Sequence, residues 1–231
     1  MHIPDGYLGP QTYGAAYLLV APFWAKASKV VSRTMRSRQV PLLALGAAFS
    51  FVIMMFNVPI PGGSSGHAVG AVLVAVLLGP WAAALAISVA LIVQALLFGD
   101  GGITTIGANC LNMAVIMPFV GYGVYKLLSG KSEIASRRRA IAAAVGAYFG
   151  LNAAALATAF ELGIQPILAH NAKGLPLYAP YPLKVAMPIM AAEHLLLFGI
   201  VEAVVTGLVI RYLQRADIGI LEQSIAGRKM A

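Results

Sequence analysis

The hydrophobic pattern of the chain consists of long apolar runs separated by short polar segments. Runs of about 18 to 25 apolar residues are typical of transmembrane helices. The pattern predicts seven spans, at residues 12–31, 40–57, 67–79, 80–98, 106–128, 140–163 and 183–213. We place a break between the third and fourth because Pro80 lacks the amide donor that a continuing helix needs and restricts the residue before it. The predicted fold class is all-α, a polytopic membrane helix bundle that forms a single transmembrane domain over residues 1–231.

The composition supports this assignment. The chain is 60% hydrophobic and 10% charged, whereas soluble domains carry about 25% charged residues. Cys110 is the one cysteine, which excludes an intramolecular disulfide and any metal site built from several cysteines.

The net charge of +8 would suggest a nucleic-acid partner in a soluble protein, but the positions of the basic residues indicate topology instead. All but two of the 16 Lys and Arg residues fall on one side of the seven-span arrangement, and the positive-inside rule makes that side cytoplasmic. The exceptions are Lys173 and Lys184. We therefore expect no nucleic-acid partner, an outer N-terminus and a short cytoplasmic tail at residues 215–231.

The first eleven residues contain neither the cationic nor the apolar region of a signal peptide, so we expect the terminal amine to be retained. It would lie on the same side as the outer loops 57–67 and 98–106, which are rich in Gly, Pro, Ser and Asn. Irregular backbone at membrane depth is tolerated where it is buried in protein or lines a polar cavity. These loops are therefore expected to fold inward over the bundle.

The sequence begins Met1-His2, which can form a tridentate chelate. The Met1 amine and the main-chain nitrogen of His2 close a five-membered ring around a metal, and this nitrogen and His2 Nδ1 close a six-membered ring. The three nitrogens lie in one plane, an arrangement that suits Ni²⁺ or Cu²⁺. Because the amine must be unprotonated to bind, the affinity for metal is expected to decrease as the pH is lowered.

A fourth ligand would come from one of the three other histidines, His67, His170 and His194. His67 follows a Gly/Ser loop on the outer side, so we choose it. His170 is interpreted as exposed or structural. His194 lies in the last span beside Glu193, with Glu202 further along; we favour structural pairing for these three and leave open a role in transport.

Sequence motifs argue against two kinds of enzyme. The segment Gly130-Lys131-Ser132 would need a glycine at position 125 to form a phosphate-binding loop, but Tyr125 stands there, so we expect no ATP to bind. The HExxH motif of metalloproteases is absent from the sequence.

Several segments closely resemble the CbiM/NikM family, the substrate-binding subunits of cobalt and nickel energy-coupling factor (ECF) transporters. They are MHIPDGYL at 1–8, PIPGGSSGH at 59–67, QALLFGDGGITTIGAN at 94–109 and the following Asn-Met at 112–113. The resemblance extends over essentially the whole chain. It implies a six-helix core with one extra N-terminal helix, in the cell membrane of a prokaryote.

The resemblance also implies which residues bind metal. Residues 1–11 would insert into the bundle, and the metal ligands would be the Met1 amine, the main-chain nitrogen and imidazole of His2, and the His67 imidazole. Groups that line the cavity or support the ligands would be Ser64, Ser65, Asp100 and Asn109. The function implied is capture of Ni²⁺ for uptake, and the alternative is the same role for Co²⁺. A second alternative is a metal-dependent intramembrane enzyme that uses Glu193 and His194.

Partners follow from the same resemblance. Ala44 and Ala48 match a motif that packs against a transmembrane coupling (T) subunit. Two cytoplasmic ATP-binding-cassette subunits would supply the energy, and we expect a small accessory membrane protein as a separate chain.

Overall fold

The computed structural model describes residues 1–60 and 64–222, without the side chains of Arg38, Ile60 and Ser64. The rest of the expected tail, residues 223–231, lies outside the described residues. The helices are α1 (Pro10–Thr34), α2 (Val40–Met54), α3 (Ala71–Leu78), α4 (Pro80–Val93), α5 (Ile106–Asn109), α6 (Met117–Ser129), α7 (Arg137–Gly163), α8 (Gln165–Leu168), α9 (Leu183–Glu193) and α10 (Gly199–Ala216).

Three segments of the described chain have the wider π-helical form and extend or connect the α-helices. Segment π1 (Gln94–Phe98) continues α4, π2 (Cys110–Ile116) joins α5 to α6, and π3 (His194–Phe198) joins α9 to α10. Such π-helical turns are rare and frequently lie at functional sites. They are therefore a structural indication of where the bundle has a function beyond packing.

The prediction of a helical membrane bundle is confirmed. Among residues 1–60 and 64–222, four helical stretches are long and apolar enough to cross a membrane, Pro80–Phe98, Ile106–Ser129, Arg137–Leu168 and Leu183–Ala216. Helix α1 is 25 residues long but ends in a basic segment, and α2 has 15 residues. The count of seven spans therefore stays a prediction.

Two local features differ from the all-α expectation. Strands β1 (Val58–Ile60) and β2 (Ser64–Gly66) form an antiparallel hairpin in the expected outer loop; three-residue strands in a Gly/Pro-rich segment are too short to show a period of two. The third helix begins at Ala71 rather than at residue 67, because Gly70 takes a left-handed conformation with φ of 75°. The break after this helix is confirmed, with Gly79 at φ of 93° and α4 beginning at Pro80.

Helix α3 is the central element of the bundle. Its residues from Ala71 to Leu77 are all buried, and it packs against α4, α6 and α7. With 8 residues it spans about 12 Å, less than half of a hydrocarbon core about 30 Å thick. The irregular segment 67–70 that precedes it is also buried, which places irregular backbone deep inside protein.

Helices α6 and α7 approach closely at glycine residues. A Cβ atom on Gly146 of α7 would lie 2.5 Å from the carbonyl oxygen of Gly121 on α6. Small residues at such contacts allow membrane helices to pack backbone against backbone. This contact holds α7 against the elements that surround α3.

We expect Gly146→Val to destabilise the bundle by about 1–3 kcal/mol, because the added side chain overpacks a backbone contact. The measurement is thermal unfolding of the detergent-solubilised protein. Gly123→Val on α6 is the matched control, since a Cβ there meets no atom within 4 Å. Equal melting temperatures for the two variants would contradict the close contact.

Candidate metal centre

The N-terminal arm, residues 1–9, inserts its first three residues into the bundle and turns at Asp5 and Gly6. Met1 and Ile3 are fully buried, and His2 is 4% exposed. Pro4 biases Ile3 toward extended backbone, and α1 begins at Pro10, so the arm precedes any helix. Helix α1 thus begins within the segment 1–11 that was expected to insert.

Asn109 and Thr105 satisfy the main chain of Ile3. The Ile3 amide donates to Asn109 Oδ1 at 2.9 Å, and Asn109 Nδ2 donates to the Ile3 carbonyl oxygen at 3.1 Å. The same oxygen accepts from the Gly102 amide at 2.9 Å and from the Thr105 hydroxyl. Because buried peptide groups need such partners, these contacts fix the depth at which Met1 and His2 lie.

Asp5 fastens the arm to the loop between π1 and α5. Its carboxylate accepts hydrogen bonds from the Ile103 amide at 3.0 Å, the Thr104 amide at 2.8 Å and the Thr104 hydroxyl. These bonds, led by that of the Thr104 hydroxyl, hold the pKa of Asp5 below its ordinary value. A Cβ at Gly102 would collide with the Asp5 backbone nitrogen, so this approach requires glycine.

The Met1 amine lies between His67 and Ser65. Its nitrogen is 3.3 Å from His67 Nε2 and 3.4 Å from Ser65 Oγ. Burial lowers the pKa of this amine from 8.0 to about 4, against the opposing effect of Asp100. At neutral pH the amine is therefore uncharged and has a lone pair available for a metal.

His67 presents a defined nitrogen to the amine. Its Nδ1 lies 3.1 Å from the carbonyl oxygen of Ala68, which can only accept, so Nδ1 carries the proton and Nε2 the lone pair. A hydrogen bond of this kind commonly orients metal-binding histidines.

Glu202 of α10 supports the same segment from the opposite side. Its carboxylate accepts from the Val69 amide at 2.7 Å and from the Gly70 amide at 2.9 Å. These are free N–H groups at the start of α3, where a negative charge is favourable. The contact agrees with the structural role favoured for Glu202, and it fixes the backbone next to His67.

Gln94, the first residue of π1, orients His2. The Gln94 amide nitrogen donates to the Phe51 carbonyl oxygen at 3.3 Å, which directs Oε1 toward His2 Nε2 at 3.2 Å. An amide oxygen only accepts, so Nε2 carries the proton and Nδ1 the lone pair. His2 Nδ1 is the nitrogen that the chelate needs.

Asp100 brings a negative charge to this group of nitrogens. Its Oδ1 lies 3.5 Å from His2 Nδ1, and its Oδ2 accepts from Asn57 at 3.3 Å. Burial raises the pKa of Asp100, which reflects the cost of an uncompensated buried carboxylate. A lone pair and a carboxylate oxygen repel each other, and a cation beside both would relieve this repulsion.

The described residues thus place four of the expected groups together. Met1, His2 and His67 converge, with the His2 and His67 ring centroids 4.6 Å apart, and Ser65 contacts the amine. Within residues 1–60 and 64–222, no three His, Cys, Asp or Glu side chains form a group that could hold a metal ion. A metal centre here would therefore depend on the amine and a main-chain nitrogen.

Two of the expected supporting residues lie beside the arm, and the side chain of a third is not described. Asn109 holds the arm backbone through Ile3. Asp100 faces His2. The side chain of Ser64 lies outside the described residues.

The model of the family described as "CbiM: Cobalt uptake substrate-specific transmembrane region" matches residues 2–219. The chain belongs to the CbiM family. The fused nickel transport protein NikMN of Rhodobacter capsulatus is 55% identical over 94% of this chain and 62% of that protein. The probable fused nickel transport protein LarMN of Lactiplantibacillus plantarum is 52% identical over 93% of this chain and 65% of that protein.

The CbiM-family chain thus spans less than two thirds of these two fused relatives. It also matches a crystal structure of a transition metal transporter with a TM-score of 0.89 and 56% identity, covering 94% of each chain. These relatives are named as transport proteins, which favours a transporter over the intramembrane enzyme.

Sequence reasoning missed Gln94 and Asp5 in this CbiM-family protein. A signal existed for Gln94, since it is a polar residue within the apolar span 80–98, and polar side chains in spans commonly face the bundle interior. Asp5 follows a proline in an exposed turn, and its partners lie about a hundred residues away in sequence. No local pattern identifies such a contact.

We expect Asp5→Ala to release the arm more often, because it removes hydrogen bonds to a charged group that contribute about 1.5–3 kcal/mol each when strong. The measurement is the rate at which an amine-reactive acylating reagent modifies the Met1 amine, read by mass spectrometry. The expected rise is about tenfold or more.

The control for this experiment is Asp217→Ala, which removes a carboxylate that accepts from the Gly219 amide beyond the end of α10. It should leave acylation of Met1 unchanged. An Asp5→Ala rate equal to that of the control would show that the Asp5 contacts do not hold the arm.

Proposed function

We propose that this chain is the substrate-specific, metal-binding membrane subunit of an ATP-driven ECF-type importer and that it captures Ni²⁺ at the outer face. The observation that carries the proposal is the position of the Met1 amine, 3.3 Å from His67 Nε2 and adjacent to His2. Both nitrogens have available lone pairs, and both lie in the protein interior. Together with the two nitrogens of His2, the Met1 amine and His67 Nε2 make up four nitrogen ligands, so the proposed site needs no further residue as a ligand.

The donor geometry supports a planar nitrogen site. The ligands would be the Met1 amine, the main-chain nitrogen and Nδ1 of His2, and Nε2 of His67. Metal–nitrogen bonds of about 2.0 Å place neighbouring donors of a square plane about 2.8 Å apart. The amine and His67 Nε2 need only a small movement from their separation of 3.3 Å to reach that spacing.

The charges around the site also fit a divalent cation. Coordination through the His2 main-chain nitrogen removes its proton, which leaves one net positive charge on the complex. Asp100, 3.5 Å from His2 Nδ1, would balance that charge. Buried charges are tolerated when they are paired in this way.

Nickel is the proposed cargo because four in-plane nitrogens suit its square-planar preference. The two fused relatives are named nickel transport proteins. Co²⁺ is the alternative, favoured by the description of the family as a cobalt uptake region.

The proposed assembly contains the partners implied by the resemblance. It includes seven spans with an outer N-terminus, a T subunit, two ATP-binding-cassette subunits and a small accessory membrane protein, with no ATP bound by this chain. Ala44 and Ala48 are both exposed on α2. A surface of small exposed residues four apart suits close packing against a helix of the T subunit.

The central test is isothermal titration of the purified chain with Ni²⁺ and with Co²⁺. A tag left on the N-terminus should abolish binding, because it removes the amine and cannot fit beside buried Met1, whereas the same tag on the C-terminus should not. Loss of a residue that only supports a metal ligand typically lowers metal affinity by about 10- to 100-fold. His67→Ala removes a ligand itself, so it should lower the affinity by more than this.

His170→Ala is the matched control for His67→Ala, since His170 is exposed in the loop after α8. Unchanged nickel binding by the N-terminally tagged protein would falsify the proposed ligands. Tighter binding of Co²⁺ than of Ni²⁺ would replace nickel by cobalt as the cargo.

Gln94→Leu should weaken metal binding by about 10- to 100-fold, because it removes the acceptor that orients the His2 ring. Gln214→Leu is the control, as this buried glutamine donates to main-chain oxygens of Ile134 and Ser136 at a distance from the arm in the fold. Comparable titration curves for the two variants would mean that Gln94 does not position His2. Melting temperatures measured alongside separate this effect from loss of fold.

A further inference from the structure

His194 is a fully buried histidine that the proposed site does not use. It begins π3, and its Nδ1 lies 2.9 Å from the carbonyl oxygen of Met190. That oxygen can only accept, so Nδ1 carries the proton and Nε2 the lone pair. Nε2 has no hydrogen-bond partner within the described part of the chain.

A buried acceptor without a donor is unfavourable and uncommon in native structures, so it calls for an explanation. The π-helical turn that begins at His194 is itself a feature associated with functional sites. A metal ion that visits this nitrogen for part of a transport cycle would explain both features.

Packing places His194 beside the metal centre. The ring of Phe198 lies 5.4 Å from the His194 ring and packs over Gly66, where it occupies the position of a side chain. Gly66 directly precedes His67. The Met1 amine and His67 are both close enough for electrostatic interaction with His194.

The burial of the centre creates a need for an internal ligand. Met1, His2 and His67 are at most 4% exposed, so a bulky outside chelator has no direct access to an ion bound there. Square-planar Ni²⁺ exchanges its ligands associatively: a fifth donor binds before one of the four departs. In the original chain the nearest candidate for the entering donor is therefore a side chain of the protein itself.

We propose that His194 Nε2 is this entering ligand, a transfer site for Ni²⁺ on its way out of the four-nitrogen centre. The proposal rests on the proposed function. A bond first forms between nickel and His194 Nε2, and the bond to His67 Nε2 then breaks, because His67 is the donor outside the chelate rings. The ion keeps its charge of 2+, and no proton moves in this step.

The experiment uses the full chain in detergent, loaded with Ni²⁺ and mixed with an excess of a metallochromic chelator. We expect His194→Ala and His194→Gln to keep the equilibrium affinity within about threefold of the original chain. Release of nickel to the chelator should slow by about tenfold or more. His170→Ala, the control histidine, should change neither quantity.

Added imidazole provides a readout that a purely structural role would not change. It is the missing donor in free form and is small enough to enter the space left by the ring. It should accelerate nickel release from His194→Ala and have little effect on the original chain. His194→Gln, whose side chain fills much of that space, should respond less.

Three results would overturn the proposal. Release from both variants at the original rate would show that His194 is not the entering ligand, and so would the absence of any response of His194→Ala to imidazole. A large loss of equilibrium affinity in well-folded variants would make His194 a permanent ligand. If the original chain bound no nickel at all, the proposed function would fail first, and this result is distinct from the others.

Discussion

The hydrogen bonds between the main chain of Ile3 and the side chains of Asn109 and Thr105 are the interaction on which the rest of the site depends. The arm carries peptide groups into the interior of a membrane bundle, where no bulk water can satisfy them. Asn109 pairs with both the amide and the carbonyl of Ile3, much as a neighbouring strand would. This pairing fixes the arm in depth and rotation, and so fixes the amine two residues earlier.

The same requirement for paired backbone explains the unusual architecture of the opposite wall. His67 is followed by irregular chain up to Gly70, and α3 contains only 8 residues because its first turn gives way to the segment that carries this histidine. The Glu202 carboxylate accepts hydrogen bonds from the main-chain N–H groups that this leaves without helical partners. A carboxylate on α10 therefore stabilises the start of a short helix.

The π-helical turns widen the helices around the arm. Gln94 begins π1 and orients His2, and His194 begins π3 next to the segment of His67. A π-turn changes the direction of the residues at its start relative to the rest of the helix. This allows a helix that packs regularly elsewhere to present one polar group toward the arm. Prearranged donors of this kind reduce the ordering cost of binding.

The amino-acid sequence by itself determined the membrane class, the helix break at Gly79-Pro80 and the chelating potential of Met1-His2, and it pointed to His67 as a neighbour of that pair. These depend on local properties: apolar length, proline and glycine positions, and the atoms of two adjacent residues. Only the tertiary structure decided that Gln94, Asp5 and Glu202 support the centre and that α3 is short and central. Each of these contacts joins residues about a hundred positions apart in sequence. The local sequence pattern cannot predict such pairs, because the two residues come together only when distant segments are buried in the same interior.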